Sequence, residues 1–180
     1  MLPTADAGHT VREASVEDAD ACAAIYAPYV TGTAISFETE PPSPAEMAQR
    51  IAAAQSTHAW LVLEADGVVV GYAYGARMHP RAAYRWSCEV SIYLEMGRRR
   101  TGAGRALYEA LFARLAGRGY RMAIAGTTLP NEASEALHRA LGFEPVGTYR
   151  RIGFKHGVWH DVEWMQRVLA SGPDPPAEPR

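Results

Sequence analysis

A strand that runs into a glycine- and arginine-rich loop and out again as a helix narrows the possible folds more than any other feature. The apolar stretch 88–94 ends in Ile92-Tyr93-Leu94, and after four linking residues comes Arg99-Arg100-Thr101-Gly102-Ala103-Gly104. From 105 to 118 apolar side chains return at helical spacing, at Leu107, Leu111, Phe112 and Leu115. A strand followed by such a helix fits a layered structure that mixes α and β. The loop has a chemistry of its own. Glycines let the backbone approach a ligand closely, and the first N–H groups of a helix lack partners within it and attract an anion such as pyrophosphate. Taken alone, a tight strand-to-helix turn with solvated arginines explains the segment equally well.

The remaining elements fill in a mixed sheet. Residues 11–13 can start a strand, and Ser15 caps a helix with Glu17 and Asp18 in its first turn, which is predicted to stop near Pro28. Ser43-Pro44-Ala45-Glu46 is a capping box with proline at the first helical position, opening a second helix to about Gln55. Asp66-Gly67 between 58–64 and 68–76 is the strongest hairpin signal in the chain. After the helix 105–118 the pattern predicts a strand 120–125, a helix 132–141 closed by Gly142, and strands 143–152 and 158–169 about a glycine-rich turn. Residues 10–170 therefore read as one domain. Residues 1–9 and 171–180 are expected to be loose, the latter with four prolines in its last eight positions.

Composition limits the partners. A formal net charge of −2 supplies no overall positive field for a nucleic-acid backbone, and no apolar run reaches the ~20 residues needed to span a bilayer. The first nine residues carry neither a basic flank nor an apolar stretch, which predicts a cytoplasmic protein without a secretory signal. Cys22 and Cys88 are too far apart in sequence to suggest a zinc site, and His156 and His160 fall across a predicted turn rather than on one helix face, so no metal is expected. A small molecule is the expected ligand.

Arg99, Gly102 and Gly104 match the R/Q-x-x-G-x-G/A signature of the GNAT superfamily of N-acetyltransferases, which the chain resembles over nearly the whole core. Within it the chain is most similar to phosphinothricin and methionine sulfoximine acetyltransferases. Ser36-Phe37-Glu38-Thr39-Glu40-Pro41, Leu137-His138-Arg139-Ala140-Leu141-Gly142-Phe143 and Lys155-His156-Gly157-Val158-Trp159-His160-Asp161-Val162 carry that likeness. The resemblance implies a mostly antiparallel sheet splayed between its fourth and fifth strands, flanked by helices, with acetyl-CoA in the cleft, and a homodimer. It implies that the main chain of Ile92, Tyr93 and Leu94 pairs with the pantetheine arm, that Arg99, Arg100, Thr101, Gly102, Ala103, Gly104 and Arg105 hold the pyrophosphate, and that Asn131 contacts the cofactor across the cleft.

Transfer to an amine needs a proton acceptor, because an amine is mostly protonated at neutral pH and cannot attack the thioester. Glu89, three residues before Ile92, is the candidate, with a surface glutamate in an ion pair as the alternative. The main-chain N–H near Leu94 is the expected donor to the tetrahedral oxyanion. Many superfamily members place a tyrosine where this chain has His138, which makes the histidine a candidate proton donor to the departing thiolate; otherwise it simply packs. On the acceptor side, Arg81 suits a carboxylate, Tyr84 follows it in a segment resembling the family's substrate mouth, Phe37 closes the pocket, and Lys155 offers a second positive charge. The resulting expectation is acetylation of the α-amine of an amino-acid-like compound. A protein lysine or N-terminal acetyltransferase and a non-catalytic acetyl-CoA-binding module stay open.

Overall fold

The computed structural model describes residues 8–98 and 101–180. Strand β1 (His9–Glu13) leads through a short 3-10 turn (Val16–Asp18) into α1 (Ala19–Gly32), and α2 (Pro44–Thr57) follows. Then come β2 (Ala59–Ala65), β3 (Val68–Arg77), a second 3-10 turn (Ala82–Tyr84), β4 (Ser87–Leu94) and α3 (Ala103–Gly117). The chain continues as β5 (Met122–Thr128), α4 (Glu132–Ala140), β6 (Glu144–Lys155) and β7 (Val158–Val168). Among the described residues, seven strands form one sheet in the order β1-β2-β3-β4-β5-β7-β6. Only β4 and β5 run parallel.

Each face of the sheet has its own core. Leu107, Leu111 and Leu115 repeat at helical spacing on α3 and are fully buried against Leu63, Ala73, Cys88 and Ala123. On the opposite face α1 and α2 bury Cys22, Val30, Met47 and Ile51 against Trp60, Val62 and Tyr72. The two predicted punctuation marks work as read. Ser43 and Glu46 bond reciprocally to each other's main chain at the start of α2, and Asp66 and Gly67 both take positive φ in the β2–β3 hairpin.

Three expectations need correction. Helix α1 continues through Pro28 to Gly32, because Tyr26, Val30 and their neighbours keep its apolar face packed beyond the missing N–H. Strand β6 runs to Lys155, with an irregularity between Tyr149 and Gly153 where Arg151 has φ +50°, and the turn is made by His156 and Gly157. The proline-rich tail is docked. Arg85 makes two bonds to the Glu178 carboxylate (2.7 and 2.9 Å), the Trp86 indole N–H donates to the Ala177 carbonyl (2.8 Å), and the Arg180 N–H donates to the Arg118 carbonyl (2.8 Å).

Candidate active site

The parting of β4 from β5 makes the site. Only Ser87, Cys88 and Glu89 are in register with β5, opposite Met122, Ala123 and Ile124, although both strands run on. The Glu95 N–H donates to Val70 O of the β3 partner. The alternation of an antiparallel ladder then ties the main chains of Glu89, Ser91 and Tyr93 to β3 and turns those of Val90, Ile92 and Leu94 toward the open cleft. Tyr29 donates its hydroxyl to the Leu94 carbonyl at 2.6 Å. Of the three residues singled out for main-chain pairing with a ligand, Ile92 and Leu94 have the geometry. Tyr93 is paired to Tyr72 and packs its ring edge-on against Tyr26 and Tyr29.

The loop at the cleft's upper end is built for close approach. Gly102 takes φ +77° with nothing within 4 Å of where a Cβ would stand, and α3 begins at Ala103, whose N–H points back to Thr101 Oγ1 at 3.4 Å. A Cβ on Gly104 would meet Leu137 Cδ2 at 3.1 Å, so this glycine lets α3 and α4 pack together. Arg98 Nε is buried without an acceptor among the described residues, while its Nη2 donates to the Glu95 carboxylate at 3.2 Å. Arg99 and Arg100 lie outside the described residues. Arg105 departs from expectation: it bonds Glu109 (3.0 Å) and the Ala140 carbonyl (3.3 Å), so its guanidinium is directed at the end of α4. Asn131 caps α4, its Oδ1 accepting the Ser134 N–H at 3.2 Å.

Glu89 stands where the two strands part, half-buried on the sheet face shared with Ala76, Ser91 and Tyr74. Burial raises its pKa, because the charged form is disfavoured away from water. Burial is also the main cause that raises the pKa of Tyr74, the cross-strand partner of Ser91 on the same face. His138 is 3% exposed and sits in the core against Tyr108 and Phe143. Its Nδ1 lies 2.7 Å from the Ser134 carbonyl, which can only accept, so Nδ1 carries the proton and bare Nε2 accepts from Tyr108 O–H at 3.1 Å. Burial lowers its pKa, with the bond to the Ser134 carbonyl opposing it. The one N–H of the ring is thus committed to the Ser134 carbonyl, and the ring packs against Tyr108 and Phe143.

On the acceptor side the structure joins Phe37 to the β6–β7 hairpin. A Cβ on Gly153 would lie 2.2 Å from the Phe37 ring, so only glycine admits the aromatic there, and the ring centroid is 6.1 Å from that of His160. Lys155 does not present a free charge to a substrate. It is 7% exposed and its Nζ donates to the carbonyls of Val30 and Ser36, both at 2.6 Å, which fastens the loop carrying Phe37 to β6. The same loop is held from the helices, where Glu38 accepts from Tyr26 (2.9 Å) and from both terminal nitrogens of Arg50 (2.7 and 3.0 Å). Arg81 and Tyr84 are exposed on the turn just before β4, with the Tyr84 ring 4.7 Å from that of His79. Tyr74, Ser91 and Tyr108, none of them singled out from sequence, are the polar neighbours of Glu89 and His138.

Comparison with known proteins gives the class first: the model of the acetyltransferase (GNAT) domain matches residues 11–164, and the chain belongs to that family. More particular relatives follow. The chain is 37% identical over 170 residues to a phosphinothricin N-acetyltransferase of Streptomyces viridochromogenes, covering 94% of this chain and 91% of the relative. It is 35% identical over 166 residues to an L-methionine sulfoximine/L-methionine sulfone acetyltransferase of Pseudomonas paraeruginosa, covering 89% and 94%. The crystal structure of a phosphinothricin acetyltransferase from Sinorhizobium meliloti in complex with acetyl-CoA superposes with a TM-score of 0.88 at 38% identity, covering 96% and 94%.

Proposed function

We propose that the protein transfers the acetyl group of acetyl-CoA to the α-amine of small amino-acid-like compounds of the phosphinothricin or methionine sulfoximine kind. The observation that carries this reading is the linear order along one strand. The glycine loop stands at the open end, the cleft-facing main chains of Leu94 and Ile92 come next, and the burial-raised carboxyl of Glu89 lies where the strands part. The N–H groups at the start of α3 hold the pyrophosphate, with Arg98 beside them, and the pantetheine arm adds to the free edge of β4 as an extra strand. Glu89 takes the proton of the incoming ammonium, directly or through water, and the freed amine attacks the thioester carbonyl. A main-chain N–H on the same edge stabilises the oxyanion, and the thiolate leaves to be protonated by solvent.

The test is a coenzyme A release assay over phosphinothricin, methionine sulfoximine, free amino acids and a lysine peptide, with mass spectrometry locating the new acetyl group. Turnover on the small acceptors with the acetyl on the α-amine is expected. Preference for the peptide would favour a protein acetyltransferase, and binding without turnover would favour a non-catalytic module. We also propose that the protein is a cytoplasmic homodimer. Support comes from the exposed apolar side chains Val146, Tyr149, Ile152, Phe154, Val158 and Trp159 (49% exposed) along β6 and β7. Trp164 does not join them, since its ring lies flat on Gly126. A light-scattering mass of 19.6 kDa rather than twice that would refute the dimer.

A further inference from the structure

The cleft-facing edge of β4 repeats itself. Val90, Ile92 and Leu94 turn the same main-chain groups toward the cleft at intervals of two residues, about 7 Å along the strand. A strand-like ligand meets equivalent donors and acceptors after a shift of one repeat, so an edge of this kind specifies register weakly. For an acetyl-CoA arm lying along it such a shift matters, because it carries the thioester ~7 Å away from Glu89. The loop before α3 holds only the anionic end, and the arm between is a chain of rotatable bonds.

One acceptor on this edge is already taken. From the last turn of α1 the Tyr29 hydroxyl donates to the Leu94 carbonyl at 2.6 Å. That carbonyl is the last one on the edge before the main chain returns to β3 at Glu95, whose N–H donates to Val70 O. Because the carbonyl is turned toward the cleft, the hydroxyl bonded to it stands in front of it, in the direction from which a ligand's N–H would come. The tyrosine is held in place from several sides. Its ring is half-buried and meets the Tyr93 ring edge-on at 5.1 Å. Its own carbonyl accepts from Thr33 Oγ1 at 2.7 Å, and the carbonyl of the next residue, Val30, accepts from Lys155. Helix α1 reaches this carbonyl only because it continues past Pro28.

Resting on the acetyl-CoA site proposed above, we infer that Tyr29 is a positioning residue that fixes the register of the coenzyme on β4. By occupying the Leu94 carbonyl it leaves the Leu94 N–H and the main chain of Ile92 as the partners of the arm, which brings the thioester to Glu89. A phenylalanine in its place frees the carbonyl. An arm shifted toward the loop then gains an acceptor, and its thioester stands out of reach of Glu89.

The experiment is Tyr29→Phe in the full chain, which keeps the ring against Tyr93 and removes only the hydroxyl. Loss of one hydrogen bond lowers Tm by only about 2–4 °C in a chain of this size, so the variant is folded at assay temperature. Calorimetry gives the dissociation constant of acetyl-CoA without an acceptor, and steady-state kinetics gives kcat and KM for acetyl-CoA with the best small amine of the coenzyme A release assay. An arm held out of register binds without reacting. Hence kcat, KM for acetyl-CoA and the dissociation constant should fall together by ~3–10-fold, the effect that one hydrogen bond can have, with kcat/KM within about 2-fold of wild type. A hydroxyl that serves stability alone would shift Tm without this joint fall. Weaker affinity, an unchanged kcat, or a fall in kcat without the matching fall in both constants would overturn the role of Tyr29 while leaving the enzyme reading intact. Wild type that neither binds nor turns over acetyl-CoA would overturn the enzyme reading itself, and the register role with it.

Discussion

Replacing Lys155 by methionine keeps the apolar stem and removes the ammonium that bonds the carbonyls of Val30 and Ser36 across more than a hundred residues of sequence. Each carbonyl loses a charged donor in a buried place, where an orphaned acceptor costs ~1–3 kcal/mol. Against this, the variant no longer has to bury a charge; burial lowers the Lys155 pKa, with the nearby charge of Glu38 opposing it. The net loss is therefore placed near ~3 kcal/mol, inside the ~2–6 kcal/mol that two orphaned carbonyls span. For a chain of this size that is about 6–12 °C in Tm, at 2–4 °C per kcal/mol. Urea denaturation followed by circular dichroism measures it, with an unchanged slope showing that the same surface unfolds. Because the loop that Lys155 fastens also carries Phe37, KM for the amine should rise several-fold while KM for acetyl-CoA does not. A Tm within ~2 °C of wild type would refute the reasoning, for it would mean that the two carbonyls find partners elsewhere at no cost.

Gly102→Asp places a carboxylate among the N–H groups at the start of α3, in open space where its only structural penalty is ~1 kcal/mol of left-handed backbone strain. Acetyl-CoA affinity should fall at least ~10-fold through like-charge repulsion, and calorimetry showing wild-type affinity in the folded variant would disqualify this loop. His138→Phe leaves the Tyr108 hydroxyl without its acceptor and should cost ~1–3 kcal/mol of stability while kcat stays within about 3-fold. A folded variant with kcat reduced ~100-fold would restore the histidine to the chemistry.

Sequence alone was informative wherever one local rule dominates. The Ser43–Glu46 capping box, the Asp66-Gly67 hairpin and the glycine loop before α3 each depend on a few adjacent residues, and each forms as the local chemistry dictates. What escaped depends on distant partners. Pro28 reads as a helix end, but the packing of Val30 carries α1 past it. A proline-rich tail reads as loose, but Arg85 and Trp86 give its last residues partners more than ninety positions away. The role of Lys155 is set by carbonyls on α1 and the loop after it, and a carbonyl leaves no mark in a sequence. Glu89 shows both sides: its spacing from Ile92 pointed to the cleft, but the face it occupies follows from the β3–β4 register.

The central claim is that Glu89 accepts the proton that frees the attacking amine, and Glu89→Gln tests it most directly. The variant keeps the shape of the side chain and removes its basicity. Turnover number and acetyl-CoA dissociation constant are to be measured on the same preparation across pH. In wild type the carboxyl must be ionised to act, so kcat/KM falls as pH drops through its pKa, which burial places above the ordinary carboxylate value. The variant should lose that acid limb and at least ~100-fold in kcat, about 2.7 kcal/mol of barrier, with acetyl-CoA affinity within about 2-fold of wild type. A Glu89→Gln enzyme that turns over at the wild-type rate with the same acid limb would contradict the account.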